Sequence, residues 1–269
     1  MPGKLSDNDF IQYIAKFDVV SLCETWTGGS FDLSAHFPDF EVTVKSGIKL
    51  SHQGRLAGGI VLMVRKSIAR FVKIIDTTRD HIIVAELSKE LLGLEKNVEL
   101  ISVYIPPPTS PYYRTVDSNC HLQELESCLI DLLEQKDECY FLICGDLNSR
   151  TANIQVNRDC DAADSLGDEV DNREPFVHTR VSDDVVINDF GNIFANVCSC
   201  FGLSILNGMC DATNSSKFTF VASQGSSTVD YFASSHSLSD LVSSMSVSDR
   251  VESAHMPVEL IVDGVRSQV

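Results

Sequence analysis

Basic residues are scarce in this chain: 21 Lys and Arg face 38 Asp and Glu over 269 residues, a formal net charge of −17. Such a protein has no general cationic coat for gripping nucleic acid, so a phosphate-bearing partner must be met by local charge or a bound cation. Long apolar runs are also lacking. None approaches the ~18 residues of a membrane span, and Met1-Pro-Gly-Lys-Leu-Ser-Asp-Asn8 has no apolar stretch of the signal-peptide kind. The expectation is an intracellular protein, nuclear or cytoplasmic, without a membrane partner. The nine cysteines include no Cys-x-x-Cys pair, and Cys198-Ser-Cys200 is too close for a usual zinc half-site, so they read as reduced thiols. With no repeat, low-complexity tract or convincing Gly/Ser/Pro linker, residues 1–269 read as a single domain.

What the chain does have is enough apolar material for a core, with 43% hydrophobic and 22% charged residues. The acid is concentrated in the second half. Residues 1–110 are nearly balanced, whereas the stretch from Asp159 to Asp189 is strongly acidic and reads as a solvated surface loop rather than a calcium loop, whose regular ligand spacing it lacks. Asn214-Ser-Ser216 reads as a polar turn.

Ser6-Asp-Asn-Asp9 is a capping-box-like helix start ahead of Phe10, Ile11 and Ile14. Nearly continuous apolar runs at 17–24, 59–65, 81–87, 98–105 and 139–144 predict strands buried on both faces. Leu122, Leu125, Leu129, Leu132 and Leu133 predict an amphipathic helix within 117–135, and 189–201 a second one closed by Gly202. Further strands are expected at 203–207, 217–221, 228–233 and 256–262. Helices alternating with buried strands predict an α/β domain of two packed mixed sheets flanked by helices.

Polar residues interrupt these strands at their ends: Glu24, Tyr104, the turn Gly145-Asp146-Leu-Asn148, Asp230 and, later, Ser253-Ala-His255. Any one of them is an ordinary capped turn. Carboxylates at the ends of several buried strands, however, are costly unless paired, hydrogen-bonded or holding a metal.

In this order, Val-Ser-Leu-Cys-Glu24-Thr, Val-Tyr104-Ile-Pro-Pro, Cys-Gly-Asp146-Leu-Asn148-Ser-Arg150, Phe-Thr219-Phe, Val-Asp230-Tyr-Phe and Ser253-Ala-His255-Met-Pro-Val, the chain resembles the endonuclease/exonuclease/phosphatase superfamily. The segments Arg180-Val-Ser-Asp-Asp, Asn188-Asp-Phe-Gly191 and Leu-Asn207-Gly are similar to the endonuclease domain of non-LTR (LINE-type) retrotransposons. Val-Asp230-Tyr-Phe-Ala-Ser-Ser-His-Ser-Leu is similar to abasic-site repair endonucleases. The resemblance implies a four-layer sandwich and a hydrolase that nicks DNA with Mg²⁺, or Mn²⁺ in its place. It implies that Glu24 holds the metal, and that Asp146 and Asn148 orient or deprotonate the attacking water. Tyr104, Thr219 and Arg150 would bind phosphate, and His255, held by Asp230, would stabilise the transition state. The alternatives from other classes are a phosphatase or phosphodiesterase for a small phosphorylated substrate, and a catalytically dead remnant or binding module.

Two departures from the resemblance imply weakened catalysis. Ala254 stands where an acidic residue usually precedes the histidine, and the strand carrying a ligand-orienting Asn is expected to be missing from the N-terminus, Asn8 lying instead in a helix start.

Overall fold

The computed structural model describes residues 2–28, 32–50, 54–114, 120–136, 138–156, 179–209, 217–250 and 252–264. The first helix, α1 (Asn8–Ile14), starts where the Asp7 carboxylate accepts the N–H groups of Asp9 and Phe10 at 2.9 and 3.3 Å, so the cap falls one residue beyond Ser6. Its buried Phe10, Tyr13 and Ile14 pack on a three-stranded antiparallel sheet through Val20, Phe40, Val61 and Met63. That sheet consists of β1 (Val19–Cys23), β2 (Phe40–Lys45) and β3 (Ile60–Arg65), in the order β1-β3-β2.

The chain continues through β4 (Val72–Asp76), β5 (Ile82–Leu87), the short α2 (Lys89–Leu92), β6 (Asn97–Tyr104), α3 (Cys120–Gln135), β7 (Cys139–Asp146), α4 (Asp189–Cys200) and β8 (Leu203–Ile205). A small hairpin of β9 (Phe220–Ala222) and β10 (Gly225–Ser227) precedes β11 (Asp230–Ser235), the short α5 (His236–Ser239) and a hairpin of β12 (Val242–Val247) with β13 (Val258–Val262). Strands β4, β5, β6, β7, β11 and β8 lie in that order in a six-stranded sheet. Its one parallel pair is β6 with β7, which α3 joins as a crossover.

Strand alternation divides the core between layers. Ile82, Val84, Ile101, Val103 and Ile143 face the buried side chains of α3 and α4, including Leu122, Leu125, Leu129 and Phe194. The intervening Ile83, Ala85, Leu87, Leu100 and Cys144 face Ile60 and Leu62 of β3. The result is helix, sheet, sheet, helix. Leu133, included in the expected α3 stripe, is instead 50% exposed at the edge of that face. Cys23, Cys128, Cys139, Cys144, Cys198 and Cys200 are free, and no described helix is long and apolar enough to cross a membrane.

One sequence expectation changes here. Asp184, within the stretch read as solvated acid, is buried, as is nearby Arg180. The reason is pairing: Arg150 Nε and Nη2 donate to the Asp184 carboxylate at 2.8 and 2.6 Å. Most of the remaining acidic stretch, and the Asn214 turn, lie outside the described residues.

Candidate active site

Strand register brings the polar strand ends together. Tyr104 is the Cα partner of Asp146 in the parallel β6–β7 ladder, and Asp230 is the partner of Asp146 in the antiparallel β7–β11 ladder. Three neighbouring strands therefore end on one rung. Close approach at this point requires glycine: a Cβ on Gly145, at φ +139°, would lie 1.9 Å from the Val103 carbonyl oxygen.

The other sheet contributes Glu24, which follows β1 in a left-handed conformation (φ 51°) and accepts a 2.6 Å hydrogen bond from the Tyr104 hydroxyl. The fifth group arrives beside β9. The N–H of Met256 donates to the Thr219 carbonyl, and the N–H of Val221 to the Ala254 carbonyl, seating His255 opposite Phe220. His255 Nδ1 lies 3.0 and 3.1 Å from the two Asp230 oxygens, and its Nε2 is 4.0 Å from Asp146 Oδ2.

The electrostatics are those of crowded acids. Burial raises the Asp146 pKa, and the Asp230 charge raises it further, with His255 opposing. For His255, burial lowers the pKa, but the Asp230 hydrogen bond and the charges of Asp230, Asp146 and Glu24 outweigh it and carry the imidazole up to about 9. Burial, then the Glu24 charge, pushes the Tyr104 phenol far up, so it keeps its proton and donates a hydrogen bond to Glu24. Asp146, Asp230 and His255 present ligand atoms within 4.8 Å of one another, the one such group found among the described residues. A buried carboxylate raised by a neighbouring acid, as Asp146 is beside Asp230, marks a place where a cation would relieve repulsion, and with Glu24 alongside, the oxygen-rich donor set suits a hard divalent ion.

Residues 3–253 match the sequence model of the Endonuclease/Exonuclease/phosphatase family. The chain belongs to this family. Solved structures share the fold of this endonuclease/exonuclease/phosphatase chain. A 3′ phosphatase, NExo, from Neisseria, bound to product DNA hairpin, superposes with a TM-score of 0.60 and 15% identity over 97% of this chain and 92% of its own. The 3′-5′ exonuclease NExo from Neisseria meningitidis gives 0.62 and 15% over 97% and 94%. An AP endonuclease from Archaeoglobus fulgidus gives 0.62 and 15% over 97% and 95%. A comparison with curated protein sequences finds no match.

In this family member, the remaining sequence-predicted residues surround the rung. Asn148, at φ 47°, donates its N–H to Asp146 Oδ1 at 3.0 Å and its side-chain amide to the Ile105 carbonyl at 2.8 Å. Thr219 is fully buried, and its Oγ1 accepts the N–H groups of Val229 and Asp230, both at 3.0 Å. Arg150 is engaged with Asp184.

Sequence reasoning gave no role to Arg180, Asp184, Asn188 and Asn207, yet they hold the rung in place. Asp184 accepts the Thr228 N–H at 2.9 Å, and Asn207 bridges β11 by donating to the Asp230 carbonyl and accepting the Phe232 N–H. Buried Arg180 donates to the Asn207 carbonyl at 2.7 Å and to Thr151 Oγ1 at 2.7 Å. Asn188 ties the Asn148 carbonyl to the Arg150 N–H while capping α4. The available signal was that all four lie in the retrotransposon-like segments.

Proposed function

We propose that the chain is a DNA-nicking endonuclease that works with Mg²⁺, or Mn²⁺ in its place, and is the endonuclease domain of a non-LTR retrotransposon. The observation that carries this reading is the meeting of Asp146, the hydrogen-bonded Asp230–His255 pair and the Glu24–Tyr104 pair at one sheet end. DNA as substrate is supported by the fold relatives, among them a 3′ phosphatase seen with a DNA hairpin and an AP endonuclease. The retrotransposon origin is supported by the Arg180, Asn188 and Asn207 segments, which form the brace behind the rung.

In the proposed reaction, Asp146 takes a proton from the attacking water, while Asn148 fixes the carboxylate through its N–H. His255, aligned by Asp230, donates toward the charge that builds on the phosphoryl oxygens. Glu24, steadied by Tyr104, is the carboxylate that would hold the ion, with Asp146 the next oxygen donor. When bound, the ion withdraws charge from the scissile phosphate. Thr219 and Arg150 act on the site through its support, Thr219 by accepting the Asp230 N–H and Arg150 by holding Asp184.

The test is supercoiled plasmid incubated with protein and Mg²⁺, beside a 3′-phosphorylated oligonucleotide and a panel of inositol phosphates. Open-circle product is expected, abolished by EDTA and by Asp146→Asn. Phosphate release from the small substrates without nicking would overturn the DNA reading. Inactivity on every substrate by folded protein would favour the dead-remnant alternative.

A further inference from the structure

We propose that Trp26 and Arg55 form a stacking platform for an unpaired base of the DNA strand that runs past the active site. The inference rests on the DNA reading above and adds to it a substrate feature, a base out of its stack near the scissile phosphate.

The placement follows from the turn after β1. Glu24 and Trp26 both adopt left-handed backbone, at φ 51° and 52°. The turn is clamped to the start of β3 by hydrogen bonds from Thr25 N–H to the Gly59 carbonyl, 3.2 Å, and from Trp26 N–H to the Gly58 carbonyl, 2.9 Å. Buried Thr25 and Thr27 share a 3.0 Å hydroxyl contact beneath it. Gly58 in turn lies against the site: a Cβ there would sit 3.1 Å from the ring of Tyr104, the residue that holds Glu24. Trp26 is thus two residues from the proposed metal carboxylate and one hydrogen bond from a residue packed on Tyr104.

Strained backbone is tolerated where the surroundings over-determine it, and such conformations gather at functional sites. Here the strain leaves a half-buried indole beside two buried threonines instead of tucking it into the core. The Arg55 guanidinium carbon lies 3.6 Å from the Trp26 ring centroid, while Arg55 itself is exposed. A planar guanidinium on an aromatic face leaves a second flat cationic surface, the kind on which nucleobases stack. Bases inside a duplex have both faces covered by neighbours, so only an unpaired or displaced base can use it.

The local charge agrees. From residue 42 to residue 75 the chain has seven Lys and Arg and no Asp or Glu, within a protein of net charge −17. Lys49 and Arg55, on the two sides of the Ile48–Ala57 bridge, form no ion pair among the described residues. Of that cationic stretch, Lys49 and Arg55 lie on the loop between β2 and β3 that carries this stack, where an acidic protein can meet phosphates locally.

Trp26 is the only tryptophan in the chain, so intrinsic fluorescence reports on this position alone. The experiment compares a hairpin oligonucleotide with one unpaired base against a fully paired hairpin, in EDTA to prevent turnover. It follows tryptophan emission and, independently, the anisotropy of labelled DNA. Selective quenching by the unpaired-base DNA is expected. Arg55→Ala and Trp26→Ala should each weaken its binding about tenfold while changing the paired hairpin little. Arg55→Lys, which keeps the charge but loses the plane, should behave like Arg55→Ala. In turnover assays the loss should fall on KM rather than kcat. DNA binding by anisotropy with unchanged tryptophan emission, or equal weakening for both hairpins, would overturn the platform and leave the endonuclease reading standing. Absence of any DNA binding would also overturn the platform, while the endonuclease reading is decided by plasmid nicking with Mg²⁺.

Discussion

Replacing Asp184 by Asn probes the brace behind the active site. The carboxylate is 1% exposed and accepts four bonds: two from Arg150, one from the Thr228 N–H at 2.9 Å and one from the Val186 N–H at 3.0 Å. An amide can offer only one oxygen, so an NH₂ group must face a backbone N–H or the guanidinium, and the Arg150 charge loses its partner. Breaking a buried pair from one side typically costs 3–5 kcal/mol, and because Arg150 is 29% exposed, a loss of about 2–3 kcal/mol is expected here. For a domain of this size that lowers Tm by about 4–12 °C.

The pH dependence gives a second handle on the same carboxylate. Burial raises the Asp184 pKa, but Arg150 and the two N–H groups outweigh it and the net shift is downward. The carboxylate therefore contributes stability above its unfolded value near 3.8, lost as pH falls through the lower folded pKa. Asp184→Asn should erase this part of the acid limb. Thr228 is two residues from Asp230, so nicking should also fall at temperatures where the variant remains folded. Urea melts from pH 2.5 to 7, with plasmid assays alongside, measure both effects. A stability change under about 0.5 kcal/mol with full activity would show that Arg150 and Asp184 are only a surface pair and refute the brace.

Three further outcomes are expected. Glu24→Gln should lower Mn²⁺ affinity about tenfold or more in titration calorimetry, and equal affinity would retire Glu24 as the metal carboxylate. Ala254→Asp should raise plasmid nicking by about 10–100-fold, since it restores a carboxylate next to His255, and no gain in a folded variant would argue against a catalytic centre here. His81, 3% exposed, is pushed down to about 3 by burial and by the His121 charge. The unfolded chain then takes up a proton that the folded chain refuses, and stability should fall as pH drops from about 6.5 to about 3. His81→Leu should flatten that slope in denaturant melts, and an unchanged slope would show that His81 titrates normally.

The buried strands were legible because they are apolar on both faces. β3, β5, β6 and β7 were each expected within two residues of their observed ends. Strands β2, β4 and β12 were not, and the reason is their position: Phe40–Lys45, Val72–Asp76 and Val242–Val247 are only half-buried, with polar residues on their open faces, and all three lie at a sheet edge. At the site, order along the chain was enough to assemble Glu24, Tyr104, Asp146, Asp230 and His255. The bracing residues escaped notice because Asp184, Asn188 and Asn207 are ordinary turn and cap formers, whose partners Arg150, Thr228 and Phe232 lie far along the chain. Only register and burial reveal that their hydrogen bonds run to the rung.

That Tyr104, Asp146 and Asp230 share one rung means that their spacing is inherited from the strand ladder, about 4.8 Å per step, and owes nothing to the loops between them. The placement of these three groups and the lengths of the connections are therefore separable in this molecule. A lineage can lengthen, trim or exchange the connections between these strands while the three groups stay in register. Glu24 is the exception: its turn is clamped to Gly58 and Gly59, and Gly58 packs on the Tyr104 ring, so a change in the connection between β2 and β3 reaches the Glu24–Tyr104 pair as well.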